Sequence, residues 1–568
     1  MNKSKHILVR RWLIGVLPFF FLTFLPSNTW AQPWAKKAAG AVFTLKTFAA
    51  DGSLHESSNG FFVDADGTAL ACFSPFKGAC RAVVIDAQGK EWPVIEILGA
   101  NDTYDVAKFK VDAKKITPLT LASAAANEGA EAWILPYSVK KAPASHKGSV
   151  GRAELFADQY TYYTIDMGDS ERLTGCPLLN SDGHAIGLVH PSATPGDPHC
   201  YAVDSRYANS LHIGGLGIND PVLRLTQIDK AIPEGHDDAL LSLFMAGSGL
   251  DSAQYSRYLD RFISKHPDMP DGYVARARMY AETTQFDKAD SEMKQAMRVS
   301  RQKDETLYQY ALLIFQHVIY HADQPYEPWT LDASLDYARS AYQQNPLSVY
   351  RQQQAQILFA QQKYDEAYDI YEELTRIDQH NAETFFAASQ CKLMAGHQEE
   401  SLALLDSAVN TFSKPYLKAA APYLLARAQA LHDAKKYRLA VSSYNEYAEL
   451  MSTKLTANFY YQREQAEFAG HLYQQALEDI NKAVEMQPAE YVYMAEKACV
   501  ELRVGQLDRV IETAQQCITM APNESDGYLF LGIAQCLKGN KKDGLQNLEK
   551  AKQLGNNQAQ PLIDKYSK

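Results

Sequence analysis

From about residue 235 onward, small residues return at a fixed interval. Ala476, Val510 and Gly544 are each 34 residues apart, and Ala367 to Ser401 and Pro488 to Pro522 repeat the spacing. Between them, apolar residues recur three and four positions apart, the pattern of amphipathic helices. A unit of this length holds two helices and a turn, and it cannot bury its apolar face alone. The second half of the chain is thereby constrained to a stack of helical hairpins. Small residues let the two helices of a hairpin approach, and large ones fill the gap to the next hairpin.

The individual units can be laid out. Tyr528-x-x-Leu531-Gly532-x-x-Gln535, followed by Gly544-x-x-x-Leu548-x-x-Ala551, resembles the tetratricopeptide repeat. So do Tyr273…Tyr280…Ala289…Met293…Ala296, Ala355…Leu358…Ala367…Tyr371…Leu374 and Ala428…Leu431…Ala440…Tyr444…Tyr447. The spacing predicts seven to eight units between residues 268 and 555, with longer intervals around 304–334 and 408–424. The resemblance implies an all-α superhelix whose inner wall, lined by the first helix of each unit, binds extended peptides or partner proteins. A register fixed on Ala355, Ser389, Ala428 and Glu464 puts Gln356, Gln390, Gln429 and Gln465 at the next position, where members of the family contact ligand. An amide both donates and accepts, so this ladder suits a peptide backbone of any sequence. Phe386 and Tyr461 belong to the same candidate binding face.

The first half has a different grammar, of glycine turns and alternating strands. It contains Leu173-Thr174-Gly175-Cys176-Pro177-Leu178-Leu179-Asn180, then Asp182-Gly183-His184-Ala185-Ile186-Gly187-Leu188-Val189, and then His199-Cys200-Tyr201-Ala202-Val203-Asp204-Ser205. Upstream stand Asn59-Gly60-Phe61-Phe62-Val63-Asp64-Ala65-Asp66-Gly67 and Asn101-Asp102-Thr103-Tyr104-Asp105-Val106-Ala107. In order and spacing, from about residue 40 to 215, these segments resemble the trypsin-like serine proteases. The resemblance implies an all-β double barrel with a vestigial triad. Ser74 stands at the histidine position, Asp105 at the aspartate, and Thr174 replaces serine in Gly-x-Ser-Gly-Gly-Pro-Leu.

Those replacements strike one mechanism together. A hydroxyl attacks an amide only when a base of near-neutral pKa takes its proton, and Ser74 is no such base. Threonine acts as a nucleophile where an adjacent amine activates it, and none is evident. Arg172 aligns with the glycine whose N–H helps bind the oxyanion. His190, next to the aligned Gly187-Leu188-Val189, falls beside the position that contacts the aspartate in the family and is the candidate substitute base; the alternative is a partly buried histidine with a hydrogen bond. The domain is therefore expected to be a pseudoprotease with no intact catalytic set. The alternative is an atypical serine/threonine endopeptidase using Thr174 and His190, its repeats recruiting protein substrates.

The first residues carry Lys3, Lys5, Arg10 and Arg11, then the apolar run Leu13 to Leu25 broken by Pro18, then Thr29-Trp30-Ala31. This order is that of a secretory signal peptide cleaved after Ala31. No cysteine follows the cleavage site, which argues against a lipoprotein, and export to a periplasm is expected. The remainder divides into the trypsin-like pseudoprotease domain (32–220), connecting or capping helices (221–267) and the repeat array (268–568). A net charge of −11 with no basic stripe argues against nucleic acid as partner. The protease resemblance makes Cys176–Cys200 the first disulfide pairing to try, the alternative being buried thiols that pack as small apolar groups. None of the eight cysteines has metal-ligand spacing, so neither metal nor cofactor is expected. Taken together, the sequence predicts an exported protein-binding scaffold.

Overall fold

The computed structural model describes residues 32–139, 145–156, 160–167, 171–192, 194 and 196–568. The expected signal peptide, 1–31, lies outside them. The chain divides into two compact units, the second beginning at Asp268.

Among the described residues, twelve strands build the N-terminal unit: β1 Val42–Phe48, β2 Leu54–Phe62, β3 Thr68–Ala71, β4 Arg81–Ile85, β5 Glu91–Asn101, β6 Val106–Val111, β7 Glu131–Ile134, β8 His146–Phe156, β9 Tyr160–Ile165, β10 Pro177–Leu179, β11 Ala185–His190 and β12 Cys200–Asp204. They close into two six-stranded barrels, β1-β2-β3-β6-β5-β4 and β10-β11-β12-β9-β8-β7, with neighbouring strands antiparallel. Closure removes the unpaired edges an open sheet would expose.

Strand periodicity then sorts the side chains. Phe43, Leu45, Phe62, Ala69, Ala71, Ala107, Phe109 and Val111 fill the first barrel. Their sequence neighbours Val42, Phe61, Leu70, Cys72 and Val106 turn the other way and pack with Leu135, Leu179, Leu188 and Val203 of the second barrel. The second barrel has its own interior of Ile134, Val150, Tyr163, Ile165, Cys176, Leu178, Ile186 and Cys200. Because successive side chains on a strand point to opposite faces, β1, β2, β3 and β6 of the first barrel serve both its own core and the seam between barrels. The candidate site sits on that seam.

After β12 the backbone crosses back over the first barrel. Ile97 N–H donates to Asp229 O and Ala231 N–H to Ile97 O, each at 2.8 Å, and Gln227 N–H donates to Ala79 O at 2.9 Å. Two α-helices, His236–Gly249 and Ser252–Lys265, complete the unit; the earlier part of the 221–267 segment carries only the short 3-10 turn Leu223–Leu225.

The second unit is all helical. Among the described residues it forms eight hairpins, from Pro270–Glu282 with Phe286–Val299 to Asp526–Leu537 with Lys541–Gln553, followed by the helix Ala559–Tyr566. The fourth residue of every second helix is small and buried: Ala289, Ser334, Ala367, Ser401, Ala440, Ala476, Val510 and Gly544. Gly544 shows why. A Cβ added there would lie 2.4 Å from Cys536 Sγ and 2.8 Å from Gly532 O. The two long intervals have separate causes. The helix Lys303–Tyr320 is extended and is followed by a loop carrying Trp329, which packs against Phe286 and His317. Residues between Asn410 and Ala421 form a connection ending in the short turn Lys418–Ala420.

Candidate functional site

The turn between β5 and β6 holds Asp105 in the left-handed region, φ +48°. Asn101 Oδ1 fixes the turn by accepting from Tyr104 N–H at 2.8 Å. Asp105 thereby faces the end of β3, where Ser74 opens the short helical turn Ser74–Phe76. One carboxylate oxygen, Oδ1, accepts from Ser74 N–H at 2.6 Å and from Ser74 Oγ at 2.7 Å. The Asp105 carbonyl accepts from Phe73 N–H at 3.3 Å. In a working triad this carboxylate would hold an imidazole; here it closes a local serine turn.

His190 ends β11 and lies on the other side of Asp105. It is buried, and a ring nitrogen, an Asp105 carboxylate oxygen and Cys72 Sγ all lie within 4.8 Å of one another. Burial pulls the His190 pKa down, opposed by the Asp105 charge and by a hydrogen bond to the Asp105 backbone. Tyr162, whose ring centroid is 6.0 Å from that of His190, is pushed up to about 12, mainly by burial. Burial also raises the Cys72 thiol far above its usual range, and the Asp105 charge adds to it. The Cys72 S–H donates to Val189 O at 3.7 Å.

Thr174 is half-buried on the loop before β10. Asn59 of β2 holds this loop: its side-chain amide donates to the carbonyls of Arg172 and Thr174, each at 3.0 Å, and its backbone N–H donates to Thr174 O at 3.3 Å. The next residue, Gly175, has φ +80°, and a Cβ there would meet Asn59 O at 2.1 Å. Among the described residues the Thr174 hydroxyl has no hydrogen bond to an imidazole. The structure thus brings Ser74, Asp105 and His190 together, with Cys72 as a member that spacing alone did not reveal. Strand alternation was the available signal, since it turns Leu70 and Cys72 to the seam.

The disulfide implied by the protease resemblance is not formed. Cys176 is a thiol enclosed in the core of the second barrel, and burial raises it to about 12. Its pocket supplies apolar packing for a sulfur rather than a bridge.

In the helical unit, Gln356 and Gln429 are exposed while Gln390 and Gln465 are half-buried, each on the first helix of its hairpin. Gln429 Nε2 donates to Gln462 Oε1 at 3.5 Å and Gln465 Nε2 to Glu464 Oε2 at 2.7 Å. Phe386 packs edge-on against Tyr423 with centroids 5.8 Å apart, and Tyr461 against Tyr493 at 5.1 Å, so both aromatics join adjacent hairpins.

The two barrels, the seam between them and the position of Asp105 on it now accompany a direct match. Residues 58–188 match the family model described as the trypsin-like peptidase domain. The N-terminal unit is a trypsin-like double barrel. Solved structures similar to the chain include the HtrA-type protease AlgW with a tripeptide, at 21% identity and TM-score 0.27, covering 31% of this chain and 62% of that one. The same protease with a decapeptide is 17% identical at TM-score 0.27, covering 31% and 64%. The Rv3671c protease of M. tuberculosis, in an inactive form, is 18% identical at TM-score 0.27, covering 32% and 88%. This chain spans less than two thirds of those AlgW chains. Among the described residues, no helix of the trypsin-like unit or of the array is long and apolar enough to cross a membrane.

Proposed function

We propose that this protein is an exported, periplasmic scaffold in which a trypsin-like pseudoprotease domain accompanies a protein- or peptide-binding helical array. The observation that carries the reading is the engagement of Asp105 by the amide and hydroxyl of Ser74. With the aspartate satisfied by a residue that cannot take a proton, no base stands between it and an alcohol. His190 does not fill the gap, because its ring is buried and, among the described residues, makes no hydrogen bond to the Thr174 hydroxyl. The exposed amides of Gln356 and Gln429 offer the array donors and acceptors for an extended backbone.

Fluorophosphonate labelling of the purified protein, with peptide mapping, tests the catalytic half. No modification of Thr174 and no turnover of peptide libraries are expected. Labelling at Thr174 that is lost in His190→Ala would establish the atypical endopeptidase instead. For the array, replacing Gln356, Gln390, Gln429 and Gln465 together by alanine is expected to weaken capture of extended peptides at unchanged thermal stability. Unchanged affinity would exclude the groove.

A further inference from the structure

Cys72, Asp105 and His190 are far apart in sequence, and the seam gathers one donor from each: a sulfur, an oxygen and an imidazole nitrogen, all within 4.8 Å. Among the described residues this is the one group of three such donors drawn so close. Cys72 is 1% exposed and His190 7%, so solvent does not satisfy them. His190 Nε2 is buried with no hydrogen-bond partner, an uncommon state for an imidazole nitrogen in a core. Asp105 accepts twice at Oδ1 and retains lone pairs for a further ligand. An imidazole nitrogen left without a partner in an apolar seam, as His190 Nε2 is, is costly unless something binds it.

We propose that Cys72, Asp105 and His190 form a zinc site that clamps the two barrels together. Thiolate, imidazole and carboxylate are the ligand types of tetrahedral zinc, and the mixture of sulfur, nitrogen and oxygen disfavours magnesium or calcium. On binding, the Cys72 S–H bond breaks, its proton passes to solvent, and the sulfur lone pair binds the cation. The thiolate and the carboxylate then balance its two charges, while His190 binds as the neutral ring. The hydrogen bond between His190 and the Asp105 backbone orients the imidazole, the usual arrangement behind a metal-bound histidine. Two ligands come from the first barrel and one from the second, so occupancy resists their separation. The clamp is structural and independent of the scaffold reading.

The test uses the full chain, stripped with a chelator and kept reduced, titrated with zinc against a chromophoric competitor and with cobalt as a spectroscopic stand-in. One equivalent bound per chain is expected, with a thiolate-to-cobalt absorption band and a higher unfolding temperature for the N-terminal unit. Cys72→Ser removes the band, His190→Gln weakens binding by roughly 100-fold or more, and Cys80→Ser changes neither. A protein that holds no zinc against the competitor, or a cobalt spectrum without the thiolate band, overturns the proposal. So does a Cys72→Ser variant that keeps the band. Should that variant fail to fold, the wild-type cobalt spectrum and His190→Gln still decide, and either result leaves the fluorophosphonate outcome unaffected.

Discussion

Ser74 gives both its amide and its hydroxyl to a single oxygen of Asp105, at 2.6 and 2.7 Å. The aspartate therefore has a structural task that does not need catalysis. In metal-free buffer, Ser74→Ala is expected to cost about 1 kcal/mol, the worth of one hydrogen bond. Asp105→Ala should cost more, about 2–4 kcal/mol, since it removes the acceptor and leaves a Cβ-bearing residue at positive φ without a compensating side chain. Asp105→Asn keeps an acceptor and tolerates that conformation, so it should fall between wild type and Asp105→Ala. Urea midpoints of the three variants check the order.

Gly175 fills a position where the barrels nearly touch. With a Cβ 2.1 Å from Asn59 O and φ at +80°, Gly175→Ala should destabilise the N-terminal unit by roughly 3 kcal/mol or more. The Asn59→Ala variant, which loses the side-chain bonds to the Arg172 and Thr174 carbonyls but keeps the backbone bond to Thr174 O, should cost less. Thermal unfolding followed by near-ultraviolet circular dichroism distinguishes them.

A buried acid pair makes the helical unit sensitive to pH. Glu464 occupies the place taken by Ala277, Ala355, Ser389, Ala428 and Ala498 in other hairpins and is fully enclosed. Burial, with the nearby Glu496, raises its carboxyl to about 8. Glu467 is likewise raised to about 8 by burial and by Asp479. Arg463 does not rescue it, because its guanidinium pairs with Asp479 at 2.6 and 2.9 Å and reaches Glu467 only at 3.8 Å. The folded chain thus keeps protons that the unfolded chain loses above 4.5. Stability from this pair is full below that value, falls as pH rises toward about 8, and is level beyond. Glu464→Gln should therefore raise stability at pH 8 by on the order of 1–3 kcal/mol and change little at pH 5. Parallel slopes for wild type and variant would refute the assignment.

The turn inside most hairpins places its second residue at positive φ: Thr284, Gln362, Lys435 and His471 at 58° to 62°, Gly396, Gly505 and Gly539 at 80° to 90°. Side-chain-bearing residues are strained there. Lys435, exposed and held only by its backbone N–H to His432 O at 2.8 Å among the described residues, should gain about 0.5–1 kcal/mol on substitution by glycine, and Gly505→Ala should lose about 1 kcal/mol. Differential scanning calorimetry of the helical unit reads both.

The barrels were legible because strand alternation survives in segments such as Val42 to Phe48 and Val106 to Val111, where each neighbour serves a different core. The array was legible because Ala476, Val510 and Gly544 meet the same packing demand at equal spacing. Ser334 escaped that spacing, since the lengthened helix Lys303–Tyr320 and the Trp329 loop displace it. At the site, Ser74, Asp105, Thr174 and His190 could be named from local motifs. Asn59 and Cys72 could not, because their partners lie more than a hundred residues downstream and only the closing of two barrels brings them together. The Cys176–Cys200 bridge failed because it was carried over from relatives, whereas here Cys176 is core packing.

The last helix, Ala559–Tyr566, deserves a final consequence. Ala559, Leu562, Ile563 and Tyr566 cover Leu529, Cys536, Leu548 and Ala551, while Gln560, Asp564 and Lys565 face water. It works as a lid on an otherwise sticky end. Trimming the chain before Ala559 would bare a surface shaped to receive another hairpin, and truncated molecules should then join through it, turning this face of the array into an adhesive.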